Sequence, residues 1–257
     1  SLQTIVQSGN PNLLRNGGFA QGMNYWAQTA AEIEEVQRLR FRVFSEELGV
    51  TLQGQAGIDS DQYDELSKHL YVRNTQTGKV IGTYRLITPD VAESIGWYTA
   101  SEFDISDLLA SGQKVLEVGR ACVDKDFRHG AVVLMLWKAI LQYAKKNNYT
   151  CIIGCTSVPM NPNAPAVFDV KKLLMQSGSF SNDFLITPRI PFTPEMQLPV
   201  NPDVKVTLPA LFKGYLRLGG KFCGEPTYDA DFHCADFFTY LPMNGLSKKY
   251  ARHFELE

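Results

Sequence analysis

Apolar residues recur along the chain with two alternating spacings, one helical and one strand-like, and the switches between them predict an α/β order of elements. Ile33, Val36, Val43 and Phe44 fall on one side of a helix predicted over 30–48, with Thr29 as its N-cap. Arg40 lies within that stripe, where an unpaired charge is costly to bury, so it calls for a carboxylate partner or a ligand. A short strand at 25–28 precedes the helix, and a polar loop at 50–62 follows it, carrying Asp59 and Asp61 with Asp64 close behind. Runs at 69–73 and 80–87 around a Thr77-Gly78 turn read as a hairpin, with Arg85 flanked by apolar neighbours. Residues 97–103 read as an aromatic surface or short helix joined to 104–109.

The stretch 115–133 organises the rest. Its first half is an apolar run carrying one acid and one base, Glu117 and Arg120, as expected of an inner strand covered on both faces. Three residues apart, these two would point to opposite faces of a regular strand. Gly119 between them marks a candidate bulge, which would bring both onto one face and aim a backbone N–H outward as a donor to a carbonyl. The run breaks at 124–127 and restarts as a helix at about Arg128, whose inward face is Val132, Val133, Leu136, Ile140 and Tyr143. Lys125, Arg128, His129 and Gly130 at that restart suit an anion.

Downstream, a strand at 150–157 and a helix over Val167–Gln176 are followed by a proline-punctuated excursion at 178–206. The excursion reads as extended rather than packed, long enough to cover a substrate. A helix at 209–218 closes on Gly219-Gly220, and strands at 221–226 and 234–241 flank a turn at 229–232. The chain divides into an N-terminal irregular arm, 1–24, and a single domain, 25–257, with the excursion as an insertion.

Composition narrows the class. At 257 residues, 44% hydrophobic and 20% charged, the chain is globular, and no apolar run approaches the length of about 20 residues that spans a bilayer. No charged-then-apolar leader opens it, so a cytoplasmic protein is expected. A net charge of −2 argues against a nucleic-acid binder. The five cysteines lack C-x-x-C pairing and share no metal spacing with the four histidines, so free thiols and no metal are expected.

The order of elements, with LRFRVFSEELG at 39–49, DQYD at 61–64, GTYRL at 82–86, YTASEFD at 98–104, EVGRACV at 117–123, LFKGYLRLG at 211–219 and YARHF at 250–254, resembles the GNAT acyltransferase superfamily. The likeness is to its acyl-carrier-protein-dependent branch, the first-step N-acyltransferases of ornithine-lipid synthesis. Long-chain N-acyl amino acid synthases and acyl-homoserine-lactone synthases are relatives of that branch. The resemblance implies a GNAT-like three-layer α/β sandwich, with a mixed sheet, a bulged and splayed inner strand and helices on both faces.

It also implies transfer of a long-chain acyl group, 3-hydroxy acyl included, from acyl carrier protein to an amino acid's α-amine. The alternatives are a homoserine-lactone-type signal synthase, or a coenzyme-A-dependent acetyltransferase of a small amine. Glu117 and Arg120 would then be catalytic. Arg40, Asp61, Asp64, Arg85, Gly119 and Ala121 would bind substrate, and Lys125, Arg128, His129 and Gly130 would hold the phosphopantetheine phosphate. No cofactor is tightly bound on this reading. The partners are acyl carrier protein (or acyl-coenzyme A), the amino acid and, peripherally, the inner membrane. Lys138, Lys171, Lys172, Lys213 and Arg217 are candidate docking cations for the acidic carrier. Phe168 stands near where many GNAT enzymes place a tyrosine, so no general acid is assigned.

Overall fold

A computed structural model describes residues 4–6, 26–52, 57–74, 76–128 and 131–254. The chain opens with β1 (Thr4–Val6) and α1 (Ala30–Phe41), which continues as a π-turn, Arg42–Glu47. Next come β2 (Lys68–Asn74), β3 (Val80–Ile87), α2 (Pro89–Ile95), α3 (Tyr98–Glu102), β4 (Phe103–Asp104), α4 (Ser106–Ala110) and β5 (Val115–Val123). After β5 follow α5 (Ala131–Lys146), β6 (Cys151–Pro159), α6 (Val167–Gln176), β7 (Phe180–Ser181) and β8 (Thr187–Pro188). The chain ends with α7 (Ala210–Leu218), β9 (Lys221–Asp229), β10 (Cys234–Pro242) and α8 (Lys248–His253). It falls into two compact units, residues 1–91 with 118–143 and residues 92–117 with 144–257, so that β5 contributes its start to the second and its end to the first.

In the first unit, α1 starts on a full capping box: Thr29 Oγ1 accepts from the Glu32 N–H, and the Glu32 carboxylate accepts from the Thr29 N–H. The helix then loosens, the Leu48 N–H reaching back five residues to the Val43 carbonyl. Strands β2 and β3 pair antiparallel, and every residue of β3 is buried, as for a strand covered on both faces. From Met135 to Leu141, α5 is buried on every side, which removes Lys138 from the candidate docking cations because only a surface lysine can meet a partner. The predicted start at Arg128 moves to Ala131: Asp124 accepts from the Asp126 N–H and caps a 3-10 turn, Lys125–Phe127, with Arg128 in the bend after it. The arm expected to be irregular contains β1, antiparallel to β2 with Thr4 opposite Asn74. The rest of 1–24 lies outside the described residues.

In the second unit, the start of β5 runs parallel to β6, with Glu117 opposite Ile153. Strand β6 pairs antiparallel with β10 along its whole length, and β10 pairs with β9, with an irregularity between Asp236 and Phe238. Phe103, Leu108, Val115, Ile153, Ile186 and Phe238 form the core there. The 178–206 excursion is more packed than expected. Strand β8 pairs with β4, Ile186 and Phe192 are buried, and the Phe192 N–H donates to the Pro226 carbonyl. Its prolines shape the path without keeping it off the core.

Candidate active site

The first unit gathers five of the predicted residues into one ionic network. Arg40, which extends from α1 with no exposed surface, donates through Nε to Asp59 Oδ2 at 2.6 Å. Its two terminal nitrogens donate to Asp64 Oδ1 and Oδ2 at 2.9 and 2.7 Å, the forked pairing a guanidinium makes best. Arg85 on β3 donates from Nη1 to Asp61 at 2.5 Å and to Asp64 at 2.8 Å, over the Tyr63 ring. From β5, Arg120 donates from Nη2 to Asp61 Oδ2 at 2.8 Å, with Asp59 3.6 Å from its Nε. Three guanidiniums therefore face three carboxylates.

Burial alone would raise the Asp64 carboxyl, but the bonds and charges of Arg40 and then Arg85 hold it well below the usual range. Asp61 is lowered in the same way by Arg85 and Arg120 against its own burial. The His69 ring donates to the Asp64 carbonyl at 2.8 Å, and its pKa is lowered, chiefly by burial.

Exposure grades this network. The Arg40 and Arg85 side chains are 0% and 2% exposed, while Arg120 is 11% and Asp61 19% exposed. Arg40 and Asp64 thus lock α1 and its acidic loop onto β3, and Arg120 and Asp61 form the accessible rim. Arg120 also stands at φ +49, a left-handed backbone rarely taken by a residue with a Cβ. The left-handed residue of β5 is thus Arg120, next to the Gly119 where a bulge was expected, and the strand runs on to Val123. Beside Gly119 the strand is open, since a Cβ there would meet nothing within 4 Å among the described residues. Arg128 donates to the Val123 carbonyl at 2.8 Å and pairs with Glu47, and Lys125 is exposed. His129 and Gly130 lie outside the described residues.

The second unit holds Glu117, 2% exposed. Its Oε1 accepts from the Thr99 N–H at 2.7 Å and from the Thr99 hydroxyl at 2.6 Å. Burial pushes the Cys155 thiol well above its ordinary range, and the charges of Asp236, Glu117 and Glu102 push it further, while a hydrogen bond with Thr99 opposes them. A thiol so held is protonated at neutral pH, which argues against an acyl-cysteine intermediate at that residue. Glu102 is pushed up to about 8 by burial and by Asp229, Asp236 and Asp231.

Asp229, Cys234 and Asp236 place donor atoms within 4.8 Å of one another, the arrangement among the described residues that could hold a metal ion. The Asp229 carboxylate there caps the β9–β10 turn through the Asp231 and Phe232 N–H groups, and Cys234 donates to Asp236. A cavity of about 470 Å³ lined by Lys145, Asn148, Tyr149, Met243, Leu246 and Ala251 contains none of the predicted residues. Thr99, Glu102, Cys155 and Asp236 were not singled out by sequence reasoning. Thr99 and Glu102 lie in the YTASEFD box, which carried no residue roles, and nothing local marked Cys155 or Asp236 for this site.

A profile of the acetyltransferase (GNAT) domain family matches residues 39–138. The chain is 33% identical over 245 residues to the L-ornithine N(alpha)-acyltransferase of Rhizobium meliloti (strain 1021), covering 89% of this chain and 82% of that protein. It is 25% identical over 155 residues to an acyl-homoserine-lactone synthase of Vibrio anguillarum, covering 58% of this chain and 74% of that one. The solved structure of TofI in a ternary complex with an inhibitor and MTA aligns with a TM-score of 0.51 and 14% identity, over 99% of this chain and 97% of that one. That likeness is one of fold, and it bears out the GNAT-like α/β order read from the sequence.

Proposed function

Because this chain belongs to the GNAT acyltransferases, in the family of the L-ornithine N(alpha)-acyltransferases, we propose that it moves a long-chain acyl group from acyl carrier protein to the α-amine of an amino acid. The first candidate acceptor is L-ornithine, which the Rhizobium meliloti relative's name specifies. The product is an N-acyl amino acid or lyso-aminolipid.

Glu117, directly or through one water, takes a proton from the α-ammonium. The amine nitrogen bonds to the thioester carbon and the C–S bond breaks; the nitrogen gives its second proton to solvent, from which the leaving thiolate of the donor arm takes one up. Arg120, the most accessible of the three networked guanidiniums, holds the acceptor's carboxylate. Backbone amides at 119–121 stabilise the oxyanion beside the open face of Gly119. Lys125 and Arg128, with His129 and Gly130, hold the single phosphate of phosphopantetheine. Asp61 and Arg85 orient Arg120, and Arg40 and Asp64 anchor that pair. An enzyme making such an amphiphile works at the inner membrane face, and no helix among the described residues is long and apolar enough to cross a membrane.

The observation that carries this reading is Glu117 itself, a buried carboxylate whose orientation is fixed by two hydrogen bonds, two residues ahead of Gly119 on the same strand. The test is mass spectrometry of lipid extracts from a bacterial host expressing the chain, beside Glu117→Gln and Arg120→Ala. A new N-acyl amino acid is expected with wild type and a loss of about 100-fold or more with each variant, the thermal midpoint staying near wild type for Arg120→Ala. A homoserine lactone instead, or turnover only with acyl-coenzyme A and small amines in vitro, would replace this reading with that of a signal synthase or an acetyltransferase.

A further inference from the structure

Glu117 is a buried carboxylate, and burial by itself favours the protonated form of such a group, which cannot accept a proton. One neighbour answers that problem directly. Thr99, with no exposed surface, directs both its N–H and its hydroxyl at one oxygen of Glu117, at 2.7 and 2.6 Å. Hydrogen bonds donated to a carboxylate stabilise the ionised form and shorten when the acceptor is charged. A hydroxyl has one proton to give. With that proton on Oε1, the Thr99 hydroxyl is committed to the carboxylate. Both bonds end on Oε1, so they also fix the rotation of the carboxylate.

We propose that Thr99 is the positioning residue of the catalytic base, its hydroxyl keeping Glu117 ionised and oriented for proton transfer. The inference rests on Glu117 being the base. It assigns Thr99 no contact with substrate.

The competing explanation is architectural: Thr99 ties the start of α3 to β5, and its loss would change stability alone. Thr99→Val separates the two, because it keeps the branched shape and the backbone N–H while deleting the hydroxyl. The measurement is kcat and kcat/KM from pH 5 to 9 with purified enzyme, a long-chain acyl-carrier-protein donor and L-ornithine, for wild type, Thr99→Val, Thr99→Ser and Glu117→Gln. Thr99→Val is expected to move the acid limb of kcat/KM up by about one pH unit, because Glu117 then protonates more easily. It lowers kcat about 10-fold and leaves KM for the acyl donor within about 2-fold. Thr99→Ser restores both limb and rate.

An acid limb that stays in place in Thr99→Val, or a Thr99→Ser no better than the valine variant, overturns the proposal. If valine does not fold, Thr99→Ala carries the same expectation. Glu117→Gln guards the premise: full turnover there overturns the base assignment itself, whereas loss there with an unmoved limb in Thr99→Val overturns the role of Thr99 alone.

Discussion

Arg40 donates to Asp59 and Asp64 through Nε and both terminal nitrogens, and nothing of it reaches solvent. Removing one partner of such a buried set leaves the other charges without compensation, which is far costlier than losing a surface pair. Arg40→Ala is therefore expected to lower unfolding stability by about 3–5 kcal/mol, read from urea denaturation midpoints at pH 7. A change under about 1 kcal/mol would show that the network does not hold α1 in place. The need for this partner was legible, because a charge inside an apolar helical stripe has few alternatives. The choice of partner was less so. Of Arg40, Arg85, Asp61 and Asp64, read together as substrate-binding, Asp64 meets both arginines and Asp61 pairs with Arg85 and Arg120, while Asp59 takes the Arg40 Nε. The role of Thr99, inside the YTASEFD box, was not legible, since a hydrogen bond to a residue 18 positions away leaves no local pattern.

At the level of elements, close approach of backbones decides more than propensity. Gly82 on β3 faces α5 so tightly that a Cβ there would stand 2.5 Å from Val132 Cγ1 and 3.3 Å from Leu136 Cδ1. Val132 is β-branched and buried, so it has no easy rotamer to yield. Gly82→Ala is expected to cost about 1–3 kcal/mol by overpacking, with the thermal midpoint falling accordingly. An unchanged midpoint would mean that α5 can slide on β3. Strands β2, β3 and β5 and helices α6 and α7 could be read from period and punctuation, since their turn residues and apolar spacing agree. The start of α5 and the packing of 178–206 could not. Asp124 competes for its own neighbours' amides and delays the helix, and the burial of Ile186 and Phe192 depends on strands that follow them in the chain.

Across the whole molecule, two shifted groups among the described residues shape how stability responds to pH through the neutral range up to about 8. Glu102 is raised from 4.5 to about 8 by burial and then by Asp229, Asp236 and Asp231. Folded protein then holds a proton that unfolded protein has lost, so the contribution of Glu102 is full below about 4.5 and disappears as pH rises through about 8. His69 acts in the opposite sense. Its pKa is lowered from 6.5, chiefly by burial, so unfolded protein takes up a proton that folded protein refuses, and stability falls as pH drops below 6.5. Each slope is at most about 1.4 kcal/mol per pH unit. Just below 6.5, where both act, they oppose one another; from 6.5 to 8 only the Glu102 slope remains. The lowered carboxylates Asp61 and Asp64 act below this window, and the raised cysteines act above it. Wild type should therefore show a thermal midpoint that changes little just below pH 6.5 and declines from there towards pH 8. Glu102→Gln should remove the decline and expose a rise up to pH 6.5. His69→Gln should leave a continuous fall across the whole range. Calorimetric scans of the three proteins at half-unit steps check this, and parallel profiles for wild type and Glu102→Gln would show that Glu102 does not carry the proton assigned to it.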